Sequence, residues 1–307
     1  MSDAASLLFS ILRDDILPIF VVAGVGFVLA RHFDVSVQTL SRVTFNALAP
    51  CLIFDALVRS TLSSGDFGRM ALFCVMNSAA AGLIATAATA SLRLERQLRV
   101  AFLLVVMVSN SGNFALPLVQ FAFGAGALAH ATVYFVTSSL LTYTVGVFLA
   151  ASGRRSMRHA LSGVFRVPAI YGVAAALAMR AFEVVPPEAV MRPVGLLTQA
   201  ALPMMVLVLG MQLERVKHIE RPRLVALAAV LSLVIVPGVS FGVARLLGLS
   251  GPAFAAAIVQ ASMPAAVVTT ILALEFDVAP NFVTSVVFVT TLASPLTLTA
   301  IVAVLSS

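Results

Sequence analysis

VVMVSNSGNFALPLVQF, from Val105 to Phe121, and AAIVQASMPAAVVTTIL, from Ala256 to Leu272, decide how this chain folds. Both are apolar stretches broken by polar residues and a proline. A helix crossing a bilayer has no reason to carry Asn110, Ser111, Gly112, Asn113 and then Pro117 at mid-depth unless that depth is polar. Backbone that leaves the helix inside a membrane must find partners in protein or in a water-filled cavity. Interrupted segments at corresponding places in the two halves of a chain point to a transporter's binding site.

The sequence around the two breaks is that of an all-α polytopic membrane protein. Of 307 residues 61% are hydrophobic and only 10% charged, so apolar runs long enough to span a bilayer recur along the chain. At about 20 residues per span, ten helices are predicted: 15–32, 36–58, 67–92, 98–123, 127–150, 160–182, 188–213, 221–247, 252–275 and 281–305. The fourth and ninth carry the breaks.

Charge sets the orientation. Thirteen of the nineteen Lys and Arg fall in loops on one side: Arg31, Arg42, Arg93, Arg96, Arg99, Arg154, Arg155, Arg158, Arg166, Arg215, Lys217, Arg221 and Arg223. Arg13, Arg59, Arg69, Arg180, Arg192 and Arg245 fall on the other. The positive-inside rule makes the first side cytoplasmic and places both termini on the outer side of the cell's inner (plasma) membrane. The same loop placement accounts for the net charge of +6 without a nucleic-acid partner. Asp3, Asp14 and Asp15 precede the first apolar run where a signal peptide would be basic, so this run reads as the first span. Cys51 and Cys74 fall within apolar spans and read as reduced thiols, with no metal-ligand spacing.

The two halves resemble each other. LPIFVVAGVGFVLAR, Leu17 to Arg31, resembles VPAIYGVAAALAMR, Val167 to Arg180; the segment around Pro50 resembles that around Pro203; the break with Pro117 matches the break with Pro264. Each pair lies about 150 residues apart. Residues 1–155 and 156–307 then form two five-helix repeats. Five is odd, so the second repeat enters the membrane from the opposite side and the repeat is inverted. Its pseudo-two-fold axis brings the two breaks together near the midplane.

The crossing has a definite chemistry. Gly112 lets the fourth helix unwind. A second half-helix is predicted to start near Phe114, with Asn113 at its cap and Pro117 in its first turn, where the missing N–H costs little. In the ninth helix Ser262 is predicted to cap a half-helix that carries Pro264 early. Each start presents unpaired N–H groups and the positive end of a helix dipole. Two such ends attract a carboxylate-sized anion without a buried Lys or Arg, and the amides of Asn110 and Asn113 add neutral donors. The plainer reading, a pair of structural proline kinks, explains neither the pairing nor the two Asn. Pro50 and Pro203 free the carbonyls of Asn46 and Gln199. Asn46 then either faces the substrate from the scaffold wall or satisfies its own kink.

Ionisable residues within spans are functional candidates. Asp55 has Arg59 four residues on, which reads as an interfacial ion pair or as a coupling or gating site. Gln260, Thr269 and Glu275 flank the second break and are candidates for coupling. No nucleotide-binding loop, zinc-protease motif or nucleophile elbow is present, so neither an enzyme nor a cofactor is expected.

At SNSGNFALPL, Ser109 to Leu118, the chain resembles the auxin efflux carrier family, which includes bacterial carboxylate permeases and plant auxin exporters. VQASMPAAVVTTILALEFD, Val259 to Asp277, resembles the family's ninth helix. The resemblance runs over essentially the whole chain. It implies an inverted five-plus-five fold related to bile-acid symporters and sodium/proton antiporters. Helices 1, 2, 6 and 7 would form a scaffold; helices 3–5 and 8–10 would form a moving transport domain. Pro117 and Pro264 match the crossover prolines, and Asn113 matches a substrate-contacting Asn. The second break carries Ser262, Met263, Pro264 and Ala265, with no Asn directly before the proline.

The residues point to a secondary transporter or facilitator of a small organic anion, and the resemblance implies malonate, malate or an auxin-like acid as substrate and an elevator-type movement. Asn110, Ser111, Gly112, Asn113, Phe114, Ser262, Met263 and Ala265 are the candidate binding residues, with Asn46 across the pocket. The scaffold helices are the expected surface for a homodimer. The alternatives are a sodium-coupled symporter and a membrane sensor that binds its ligand without moving it.

Overall fold

The computed structural model describes residues 2–151, 168–214 and 218–306, leaving aside the side chains of 2–5. Arg154, Arg155, Arg158, Arg166, Arg215 and Lys217 lie outside the described residues, as do the predicted start of the sixth helix and the boundary between the predicted repeats.

The described residues form helices and one isolated β-bridge. In chain order the helices are α1 (2–32), α2 (Val37–Val58), α3 (Ser64–Ser91), α4 (Arg96–Met107), α5 (Ala115–Ala150), α6 (Ala169–Ala181), α7 (Glu188–Leu213), α8 (Pro222–Leu246), α9 (Gly251–Ala261), α10 (Val268–Phe276) and α11 (Pro280–Ser306). Six of them, α2, α3, α5, α7, α8 and α11, are long and apolar enough to cross a membrane. Gly124, at φ 71°, interrupts α5 where the fourth predicted helix ends and the fifth is about to begin.

Local chemistry places the boundaries. Ser36 caps α2 by accepting from the N–H of Thr39. Ser63 and Asp66 form a reciprocal capping box, which starts α3 three residues earlier than predicted. Helix α1 begins at residue 2 rather than 15, because a π-helical turn at Leu12–Ile16 joins an N-terminal helix to the first span.

That turn belongs to a pattern. The π-helical turns Leu12–Ile16, Thr44–Leu48 and Leu231–Ile235 each end two residues before a proline, Pro18, Pro50 and Pro237 respectively. Proline cannot donate to the carbonyl four residues back and its ring crowds it. The chain answers by widening the preceding turn.

Two sets of helices pack closely. In one, α1 lies on α7 and α2 on α6. Gly26 and Gly210 make the first contact possible. A Cβ on Gly26 would run into the carbonyl of Leu207, and one on Gly210 into that of Ala23. Gly172 faces Pro50 in the second contact, where a Cβ would meet the Pro50 carbonyl oxygen at 2.6 Å. Small residues let helix backbones approach where lipid supplies no hydrophobic drive between them. The Arg180 guanidinium, near the end of α6, donates to the carbonyl of Ser60, to its Oγ at 3.1 Å and to the carbonyl of Leu62. It thereby pins the connection after α2. In the other set α5 packs on α3 and α9, α8 on α3, α9 and α11, and α4 on α3 and α11.

Candidate functional site

The two breaks meet. After α4 the chain runs extended through Val108 and Ser109, and after α9 through Met263 to Ala266; Ser109 and Ala265 form an antiparallel bridge. The N–H of Asn110 donates to the Pro264 carbonyl at 2.8 Å, and that of Ala266 to the Val108 carbonyl at 2.9 Å. Each broken helix thus satisfies part of the other's exposed backbone, as a non-helical segment at this depth must. Gln260 ties the crossing to α5, its Nε2 donating to the carbonyls of Ser111 (3.2 Å) and Ala131 (3.0 Å). The N–H of Ala265 donates to Thr290 Oγ1 of α11 at 3.2 Å. Behind the bridge, Asn77 Nδ2 donates to the Tyr134 hydroxyl at 3.3 Å, and Ser240 Oγ lies 2.6 Å from Asn77 Oδ1, joining α3, α5 and α8.

Half-helix α5 restarts at Ala115 with Phe114 as its cap residue, so Pro117 does fall in its first turn. Asn113 does not cap it: its Oδ1 is buried without a partner, while the carbonyls of Asn110 and Gly112 accept from Ala115 and Leu116. The second half-helix departs further from expectation. It starts only at Val268, with Val267 as cap residue, so Pro264 lies in the extended segment and not in a first helical turn. Ser262 does not cap it either; its hydroxyl donates back to the Ile258 carbonyl at 2.6 Å and closes α9. The local sequence suggested a cap, but the pairing with Val108 and Asn110 holds this stretch extended.

A cavity of about 180 Å³ opens on the crossing. Asn110, Ser111, Gly112 and Asn113 line it from one break, and Ala266, Val267 and Val268 from the other. Asn110 and Asn113 are 5% and 4% exposed, and neither Asn110 Nδ2 nor Asn113 Oδ1 has a hydrogen-bond partner. Unpaired buried amide groups carry a desolvation cost that a ligand can relieve. Because the N–H groups of Ala265 and Ala266 are taken, the start of α10 has those of Val267 and Val268 left to offer. Gly112 sits against Phe135, where a Cβ would come within 2.8 Å of the ring.

Other predicted residues lie elsewhere. Phe114 is fully buried and packs edge-on against Phe20 of α1, with ring centroids 5.7 Å apart. Ser262, Met263, Pro264 and Ala265, the last in the bridge itself, are buried and do not line the cavity. Asn46 is exposed, donates to the Arg42 carbonyl of its own helix at 2.7 Å and lines the neighbouring vestibule, not the crossing cavity. Thr269 is buried and donates to the Ala266 carbonyl, and Glu275 is exposed in the last turn of α10. From α7, Gln212 supplies the amide that faces the crossing cavity, its Oε1 buried and unpaired. A polar residue in the last turn of an apolar span was the available signal for it.

The crossing cavity shares Ser41, Phe45, Tyr143, Pro168, Gln212, Val267 and Ile271 with a vestibule of about 1150 Å³ that also contains Arg42 and His218. At the opposite end of α2 a second cavity, about 700 Å³, is lined by Asp55, Arg59, Pro117, Gln120 and His130. Asp55 and Arg59 are ion-paired there at 2.7 Å. This cavity shares no lining residue with the crossing cavity. The fully buried side chains of Phe114, Leu116 and Leu118 belong to the α5 turn between them. The crossing cavity thus adjoins the vestibule on the Arg42 side and not the Asp55–Arg59 cavity; it also shares Val108, Ser138 and Thr142 with a smaller cavity of about 180 Å³.

Comparison with known proteins gives the family. Residues 12–163 and 152–302 match the model of a membrane transport protein family. Over 288 residues the chain is 26% identical to a protein of Methanothermobacter thermautotrophicus named only as an uncharacterized transporter, with 92% of this chain and 94% of that one covered.

Proposed function

Because the chain belongs to the auxin efflux carrier family of membrane transport proteins, we propose that it is a secondary transporter of small organic anions. In this reading the substrate carboxylate binds at the crossing. The observation that carries the reading is the buried, unpartnered amide nitrogen of Asn110, a donor in the cavity that the start of α10 also borders. Half-helix ends complement negative charge without a lysine or arginine.

The ten-span, inverted-repeat arrangement belongs to the same reading. The breaks pair with each other, and the packing of α1 on α7 mirrors that of α6 on α2 as an in-plane pseudo-two-fold would require. Helices α1, α2, α6 and α7 act as the scaffold, and α3–α5 with α8–α11 as the moving body. An elevator movement carries the crossing past the scaffold. With the basic loops cytoplasmic, the Arg42-side vestibule opens inward.

The test is flux. Purified protein in liposomes on a solid-supported membrane is offered malonate, malate, lactate and indole-3-acetate, with and without sodium or proton gradients, and labelled substrate covers electroneutral exchange. We expect a saturable signal from at least one carboxylate that Asn113→Ala abolishes. Saturable binding without flux would replace the transporter by a sensor, and neither binding nor flux would remove the site.

A sodium-coupled variant has one observation in its favour. Asn113 Oδ1 and Gln260 Oε1 are buried carbonyl oxygens without partners, the ligand type that hard cations take. Sodium-dependent affinity for the carboxylate would select it.

A further inference from the structure

The crossing cavity limits how much negative charge a ligand can bring, and from this we infer that the chain accepts monoanions bearing one neutral polar group, which Gln212 reads, and rejects dianions. This rests on the organic-anion reading above and narrows it.

The charge account decides the point. Each half-helix start is worth about half a positive charge. That of α10 borders the cavity through Val267 and Val268; that of α5 reaches it only through the preceding turn, Gly112 and Asn113, and its first N–H groups, of Ala115 and Leu116, are already paired with the Asn110 and Gly112 carbonyls. Together they balance at most one carboxylate. No Lys, Arg or His is found among the cavity's described lining residues; Arg42 and His218 belong to the wider vestibule. A second carboxylate held in the cavity would be a buried charge without a partner, which costs far more than a partnered one.

Across from the crossing stands an amide. Gln212 comes from α7, in the opposite set of helices, and borders both the cavity and the vestibule; its Oε1 is buried and has no partner. A carboxamide both donates and accepts, so it can satisfy a hydroxyl, keto or ester group but cannot neutralise a charge. Phe45, Phe135 and Ile271 wall the space with apolar surface. The cavity volume, about 180 Å³, is below the roughly 300 Å³ of the smallest drug-sized pockets, which suits a short carbon skeleton.

Two ligand pairs separate the terms. Malonate and its monomethyl ester share a skeleton and differ by one charge. Lactate and propionate differ by one hydroxyl. Affinities are measured at neutral pH by calorimetry on the full chain in lipid nanodiscs, for the wild type, Gln212→Leu and Gln212→Arg. In the wild type we expect the monoester to bind at least about tenfold more tightly than malonate, and lactate more tightly than propionate by about fivefold or more. Gln212→Leu should erase the lactate preference and leave propionate unchanged. Gln212→Arg should reverse the order of malonate and its ester. Malonate binding as tightly as the ester to the wild type overturns the charge limit while leaving an organic-anion site standing. A lactate preference that survives Gln212→Leu removes Gln212 from the role. Silence from all four ligands, in protein that still unfolds cooperatively, sinks the underlying anion reading instead. The wild-type pairs and Gln212→Leu decide the matter even where Gln212→Arg does not fold.

Discussion

Gln260 shows how much of the site depends on single side chains that never touch the cavity. It is fully buried, and its one amide nitrogen serves two carbonyls, Ser111 in the crossing and Ala131 in α5. Replacing it by leucine keeps the bulk and deletes both bonds. Leaving buried acceptors unpaired costs about 1–3 kcal/mol. We expect Gln260→Leu to lower the thermal unfolding midpoint in detergent and to weaken carboxylate affinity by about tenfold. An unchanged affinity would mean that the Asn110–Asn113 turn holds its shape without this tie. Asn46 and Gln212 make a related point about legibility. Both are amides on helices of the same packed set, and the sequence singled out Asn46 because Pro50 follows it. Which amide faces the crossing depends on how α2 and α7 are rotated against α5, and that is a property of packing that no local pattern carries.

Among the elements, the two broken helices were legible to different depths. The position of the first break could be read from Gly112 and Pro117, and α5 does restart with Pro117 in its first turn, although Asn113 does not cap it. At the second break, Pro264 suggested the same arrangement, yet the half-helix waits until Val268. What holds Met263 to Ala266 extended is a strand-like pairing with residues about 155 positions away and a hydroxyl from α11. Caps and turn chemistry show in a sequence; such long-range pairings do not. The glycine contacts between α1 and α7 were equally hidden, because Gly26 and Gly210 have meaning only once the helices meet. Their meeting makes a sharp expectation. Gly210→Ala pushes a Cβ into the carbonyl of Ala23, and overpacking of this kind costs about 1–3 kcal/mol. The variant should unfold at a lower temperature while Gly195→Ala, on the same helix with open space around its Cα, should not. Equal stability of the two would show that the helices yield at this contact.

For the molecule as a whole, the arrangement of its cavities makes a labelling experiment decisive. With Cys51 replaced by alanine and Cys74 buried, single cysteines report each cavity: Ser139→Cys for the crossing cavity and Gln120→Cys for the Arg59 side. At rest a membrane-impermeant thiol reagent should reach Ser139→Cys only from the Arg42 side and Gln120→Cys only from the other. During turnover Ser139→Cys should become reactive from both sides. Labelling that stays one-sided under turnover would rule out movement of the crossing past the scaffold. The two cavities have one more consequence, and it concerns voltage. Deep aqueous recesses conduct the potential of their own bath inward, so little of the membrane voltage is spent along them. Most of it must fall across the thin apolar layer that contains Phe114, Leu116 and Leu118. An elementary charge traversing the full potential exchanges about 2.3 kcal/mol per 100 mV. If the proposed movement turns the crossing from one recess to the other, a bound anion passes from one bath's potential to the other's, nearly the whole electrical distance, in a short mechanical stroke.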